Sequence, residues 1–251
     1  MEAAPLPNLV ALFLGVWVIY LFDRILDVSR APAPELLTRR HRWAEDHLRV
    51  MASIGFIALG LLIATILPHL EKATVLAGMV PGLATLLYYL IFRFLKNLPC
   101  LWRLPYKEMT IAICFALGIS ISVTAEPAGG YHLCLMGGLV LLFSGNCLLI
   151  ARDESELDHR NDPAAHFAGA HEGCQTRWPE AMLTLAFLSS LPLMILGGFP
   201  LTSSCLFICS GLTLLLARSE TGDGPAFIQA KADGILMIPL LLALSRVVIF
   251  R

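Results

Sequence analysis

The chain has 251 residues, of which 57% are hydrophobic and only 15% charged, and its mean hydropathy is +0.74. Water-soluble domains carry roughly 45–50% apolar and about 25% charged residues, so this chain has too little polar surface to cover the core it would bury. That balance excludes a water-soluble globular fold and points to a bilayer as the solvent. The net charge of −1 carries no information about partners, because in such a chain the position of each charge matters more than the sum.

The first apolar run, 6–22, has no Arg or Lys before it and no small-residue cleavage site after it, so it reads as a retained span rather than a signal peptide. Seven further runs have the length of a membrane helix, about 17–25 residues: 50–68, 74–95, 108–125, 132–151, 180–197, 199–217 and 233–250. They lack the strict alternation of a membrane β-barrel. The expectation is an all-α, polytopic transmembrane bundle of about eight spans. Pro81, Pro192 and Pro239 lie inside these runs, where packed neighbours can satisfy the carbonyls that proline frees.

Basic residues set the orientation. Arg24, Arg30, Arg39, Arg40, Arg42 and Arg49 lie between spans one and two, and Arg93, Lys96, Arg103 and Lys107 between three and four. Arg152, Arg160 and Arg177 follow span five, and Arg218 and Lys231 separate seven from eight, whereas the alternate loops hold only Lys72. The positive-inside rule then puts the N-terminus outside and the four basic loops in the cytoplasm.

Span one runs into Tyr20-Leu-Phe-Asp23-Arg24-Ile-Leu-Asp27, and span five into Ala151-Arg152-Asp153-Glu154-Ser-Glu156-Leu-Asp158, with Asp162 a turn beyond. Asp23 and Asp27 are four residues apart, as are Glu154 and Asp158, a spacing that stacks two carboxylates on one helix face. Stacked like charges repel, and a hard cation such as Mg²⁺ relieves them; Mg²⁺ is usually held by one or two carboxylates together with substrate phosphates. The second pair repeats the first at a constant offset, 154 − 23 = 158 − 27 = 131. The chain therefore reads as one transmembrane domain of two parallel four-helix halves, about 1–125 and 131–251. Its acidic pairs would face each other across a central cavity open to the cytoplasm. Arg93, Lys96 and Lys107 supply cations beside that cavity, suited to phosphate oxygens. Asn146 lies eight residues before Glu154 on the same helical face, in position to orient a substrate.

Other signals carry less. The seven cysteines are odd in number and have no CxxC spacing, and His159, His166, His171 and Cys174 do not match a zinc signature. Gly82, Gly118, Gly137, Gly138 and Gly145 are candidates for close helix packing. No glycine-rich nucleotide loop and no nucleic-acid patch is present.

The chain resembles the UbiA-type intramembrane prenyltransferase superfamily. The resemblance rests on two acidic motifs that each follow a span and on the order Tyr89…Lys96…Lys107-Glu108…Phe115-Ala-Leu-Gly118, and it extends over nearly the whole chain if the family's first helix is absent. The loop Asp27-Val-Ser-Arg30…Thr38-Arg39-Arg40-His41-Arg42 is similar to a basic stretch of distant bacterial members. Ile19 stands where the family usually has Asn or Asp, and Glu154 where Asp is usual. The resemblance implies Mg²⁺-dependent transfer of a prenyl group from an allylic prenyl diphosphate to a lipophilic acceptor in the bacterial inner membrane, on its cytoplasmic side. Asp23, Asp27, Glu154, Asp158 and Asp162 would hold the metal, and Arg93, Lys96 and Lys107 the diphosphate. Tyr20 and Tyr89 would lie against the prenyl fragment. Two other functions stay open at this level: a transporter whose carboxylates form an ion vestibule, and a lipid-binding relative of the same fold without catalysis. Every acid lies at a span end, so no mid-membrane ion route is apparent, which disfavours the transporter.

Overall fold

The computed structural model describes residues 6–30, 39–94, 106–123, 129–153, 177–195, 200–219 and 225–238. These residues are almost entirely helical, with no strand among them. The helices are α1 (Leu6–Arg30), α2 (Arg39–Asp46), α3 (Leu48–His69), α4 (Lys72–Phe94), α5 (Tyr106–Val123), α6 (Gly129–Asp153), α7 (Trp178–Ile195), α8 (Pro200–Arg218) and α9 (Pro225–Leu236). Among the described residues, five stretches are long and apolar enough to cross a membrane: Pro7–Leu26, Leu48–His69, Lys72–Leu90, His132–Arg152 and Trp178–Ile195. Glu108–Ser120 and Thr202–Arg218 are apolar but shorter. The chain has the helices of an integral membrane protein. The last expected span, 233–250, lies mostly outside the described residues, which end at 238. Helix α9 begins before it, at Pro225, and includes Lys231 and Asp233.

Burial ranks the helices. Half of the α6 span is buried, against 6% of the α4 span, so α6 is central and α4 peripheral. Leu135, Leu139, Leu142 and Leu149 of α6 form one core with Ala116 of α5, Leu183 and Ala186 of α7, Leu206 and Cys209 of α8, and Ile228 and Ala232 of α9. A second packing unit joins α1 to α3 through Leu14, Val18 and Ala58, and through Leu21 and Met51 with Ala44 of α2. Helix α5 connects the two, since it packs on α6, α4 and α1. The outer faces stay apolar and exposed, as at Leu76, Met79, Leu83 and Leu86 of α4 and Phe56 and Ile57 of α3. Such continuous apolar surface is stable in lipid and unstable in water.

Small residues allow the tightest packing. A Cβ built on Gly145 would lie 2.6 Å from Leu183 Cγ and 3.4 Å from the Leu183 backbone nitrogen. One built on Gly138, two turns away on the same face, would lie 2.6 Å from Leu206 Cδ2. Gly82 and Gly137, also expected to permit packing, face open space instead, and at Gly118 the nearest atom, Leu12 Cδ1, is at an ordinary 3.5 Å. Hydroxyls within the helices bond back to carbonyls one turn earlier. Thr85 donates to Pro81 O at 2.8 Å, Ser210 to Leu206 O at 2.6 Å and Thr213 to Cys209 O at 2.8 Å. In lipid that arrangement avoids the cost of an unsatisfied donor.

Helix α2 falls in a stretch read from sequence as a basic loop. It is short and strongly polar, but Ala44 is buried against α1 and α3 while Trp43 is exposed and stacked on His47 with 4.5 Å between ring centroids. An arginine-rich helix with an outward Trp suits the headgroup layer.

Candidate functional site

Contacts between helices relate the predicted site residues to one another. Tyr89 of α4 donates its hydroxyl to the backbone carbonyl of Ile19 on α1 at 3.2 Å. Asp23 and Arg93 each lie four residues further along these two helices. Leu12 of α1 lies beside Gly118 of the antiparallel α5. Eleven residues on from Leu12 is Asp23, and eleven back from Gly118 is Lys107, each about 16 Å along its axis. Phe115 of α5 meets Phe143 of α6 with ring centroids 5.9 Å apart. Eight residues back along α5 is again Lys107, and eight forward along α6 is Ala151, next to Arg152. Phe115 against Phe143 and Ser120 against Met136 make α5 and α6 antiparallel, so the start of α5 and the end of α6 lie toward the same end of the bundle.

The side chains of the predicted site residues are described unevenly. Asp23 is partly buried on α1 and engaged with neighbours. Tyr20 is 45% exposed and has the guanidinium carbon of Arg24 5.2 Å above its ring. This is a cation–π contact of about 0.5–1 kcal/mol at an exposed site. Tyr89 is oriented by its bond to Ile19 and by an edge contact with Tyr88, 5.2 Å between centroids. Glu108, next to Lys107, is 6% exposed. The backbones of Asp27, Arg93 and Lys107 lie in α1, α4 and α5, but their side chains are outside the described set. Lys96, Glu154, Asp158 and Asp162 lie outside the described residues altogether. The facing of the two acidic pairs across a cavity thus falls outside the described residues. Among the described residues no group of three or more His, Cys, Asp or Glu is arranged to hold a metal.

Asn146 is 4% exposed on α6, and among the described residues its Oδ1 has no hydrogen-bond partner. The same holds for Ser144 Oγ, whose residue is 1% exposed. Buried acceptors without partners are costly, about 1–3 kcal/mol each, so Asn146 retains an unused capacity to accept a hydrogen bond.

Two features at this end were not anticipated. Arg152, at the end of α6, forms an ion pair with Glu180 in the first turn of α7 and donates to the Ala217 carbonyl of α8 at 3.1 Å. One guanidinium thereby links the ends of three helices. The sequence signal was the pairing of a basic span end with an acidic span start, here assigned only to orientation. Beyond the pair lies an open groove of about 700 Å³, lined by Arg177, Glu180, Ala181, Thr184 and Leu185 of α7 and Arg218 of α8.

Comparison of the chain with protein-family models, curated proteins and solved structures finds no match. The class that the fold defines is an all-α protein with several membrane-length helices.

Proposed function

We propose that this protein is a Mg²⁺-dependent intramembrane prenyltransferase, which moves a prenyl group from an allylic prenyl diphosphate to a lipophilic acceptor. The observation that supports this reading is the hydrogen bond from Tyr89 to the Ile19 carbonyl, which joins the helix that carries Arg93 to the helix that carries Asp23. A diphosphate needs carboxylate-bound metal on one side and fixed cations on the other, and the reading assigns these roles to the acidic pairs and to the basic residues of α4 and α5. Asp23, Asp27, Glu154, Asp158 and Asp162 are all hard oxygen donors, which suits Mg²⁺ and suits softer metals poorly. When bound, the metal would neutralise charge on the departing diphosphate. Arg93, Lys96 and Lys107 act on the same oxygens, and Asn146 orients the ligand through its unused carbonyl. Tyr89, fixed by Ile19, presents its ring beside the prenyl fragment. The prenyl chain lies among apolar helices, and the reaction takes place at the cytoplasmic face of a bacterial inner membrane, with the N-terminus outside. The eight-span repeat belongs to this reading.

One observation favours a second reading, a lipid-binding relative without catalysis. Ile19 offers a metal no side-chain oxygen, and its carbonyl accepts the Tyr89 hydroxyl.

The test is binding of a labelled prenyl diphosphate to the purified protein, with Mg²⁺ and with EDTA, in wild type, Asp27→Asn and Asp158→Asn. Each variant keeps its shape and loses one metal-binding charge. Binding in Mg²⁺ is expected to fall at least tenfold in both while EDTA values change little, and thermal stability is expected to hold because repulsion within each pair is relieved. Equal Mg²⁺-dependent binding in all three proteins would remove the prenyltransferase reading. Binding without diphosphate release would favour the second one.

A further inference from the structure

We infer that the groove between the start of α7 and the end of α8 is a binding site for an anionic glycerophospholipid. The inference does not rest on the catalytic reading. Four observations support it. First, among the described residues the lining is net positive. Arg177 and Arg218 are both exposed at its rim, and the acid among them, Glu180, is ion-paired with Arg152. Second, Arg177 adjoins the N-terminus of α7, where backbone N–H groups add partial positive charge and favour a phosphate. Third, its volume of about 700 Å³ is in the range of small-molecule sites and accepts a phosphoglycerol headgroup, with Thr184 adding a hydroxyl. Fourth, its lower wall is apolar. Ala181 and Leu185 line it, and along the two helices Leu188 of α7 and Leu215 of α8 are 52% and 66% exposed.

A cationic rim above an exposed apolar wall matches an amphiphile with an anionic head and acyl chains, and a free phosphate would use only half of it. Basic pockets between transmembrane helices recognise acidic lipid headgroups by this chemistry. Arg152 is a positioning residue here. It keeps the Glu180 carboxylate from repelling the phosphate and ties α7 to the carbonyl end of α8, which sets the width of the groove.

The experiment uses the full chain, delipidated in a neutral detergent and followed by native mass spectrometry. Phosphatidylglycerol, phosphatidylcholine and glycerol 3-phosphate are titrated separately. Phosphatidylglycerol is expected to bind about twenty-five-fold more tightly than phosphatidylcholine, since each of the two headgroup-level arginines contributes roughly a factor of five. Glycerol 3-phosphate alone should not be retained. The double variant Arg177→Gln/Arg218→Gln should lose the preference, and Lys72→Gln, at the opposite end, should keep it. Thr184→Trp fills the groove but leaves both arginines in place, so it separates a built site from diffuse surface charge and should also lose the preference. Retained preference in either groove variant would overturn the proposal. So would equal affinity for the two lipids, and glycerol 3-phosphate binding as tightly as phosphatidylglycerol would assign the groove to a soluble phosphate instead.

Discussion

Gly145→Ala is expected to destabilise the protein, although alanine is the better helix former. In an unhindered helix the change gains about 0.5–1 kcal/mol. At Gly145 the new methyl would lie 2.6 Å from Leu183 Cγ and 2.8 Å from Cδ2. Leu183 is fully buried, and its backbone nitrogen at 3.4 Å limits sliding of α7. Overpacking of this kind costs about 1–3 kcal/mol, and the middle of the two ranges leaves a net loss of about 1 kcal/mol. For a chain of this size each kcal/mol moves the midpoint by about 2–4 °C, so the expected fall is about 2–4 °C. Gly137→Ala is the matched control, since that glycine is exposed on the same helix with nothing within 4 Å, and its melting point should hold or rise. Melting curves of the two variants and wild type, recorded in one detergent at one scan rate, provide the assay. A Gly145→Ala protein that melts at or above wild type would refute the close approach of α6 to α7.

Two further predictions follow from the same end of the molecule. Arg152→Ala should cost about 1–3 kcal/mol by melting, because it leaves the Glu180 carboxylate without its cation and the Ala217 carbonyl without a donor; the Arg152→Ala/Glu180→Ala double variant should lose less than the sum of the single changes. Introduced cysteines near Arg40, Asn97 and Asn161 should be labelled from the cytoplasmic side and one near Gly129 should not, and reversed accessibility would overturn the orientation.

Most of the helices were legible in the sequence because a bilayer imposes a length as well as an apolar composition. The expected run 50–68 became Leu48–His69, and 132–151 became Gly129–Asp153, with each end falling where charge or proline appears. Helix α2 was not legible: it is too short for periodicity to register and too polar for a hydropathy scan, and only the burial of Ala44 between α1 and α3 reveals its inner face. The start at Pro225 was not read from the sequence, since Lys231 and Asp233 interrupt the apolar pattern there, although proline suits a first helical turn; the expected run 233–250 lies mostly outside the described residues. Among the glycines, sequence could not separate Gly138 and Gly145 from Gly82 and Gly137, since what distinguishes them is the partner each one meets.

The site divides along the same line. Spacing along one helix tells which positions share a face, so Asp23 and Asp27, both within α1, fall on one face by their spacing of four. Height across helices is different, because it depends on which residues of distant segments touch. Tyr89 and Ile19 are 70 residues apart, and nothing local to either one announces their hydrogen bond. That bond joins α4 to α1, and without it the positive-inside charges of α4 would be interchangeable with those of any other span end. The same holds for Arg152. Its sequence context states only that a basic residue closes a span, whereas its bonds to Glu180 and Ala217 make it the group that holds three helix ends together and shapes the groove beside them.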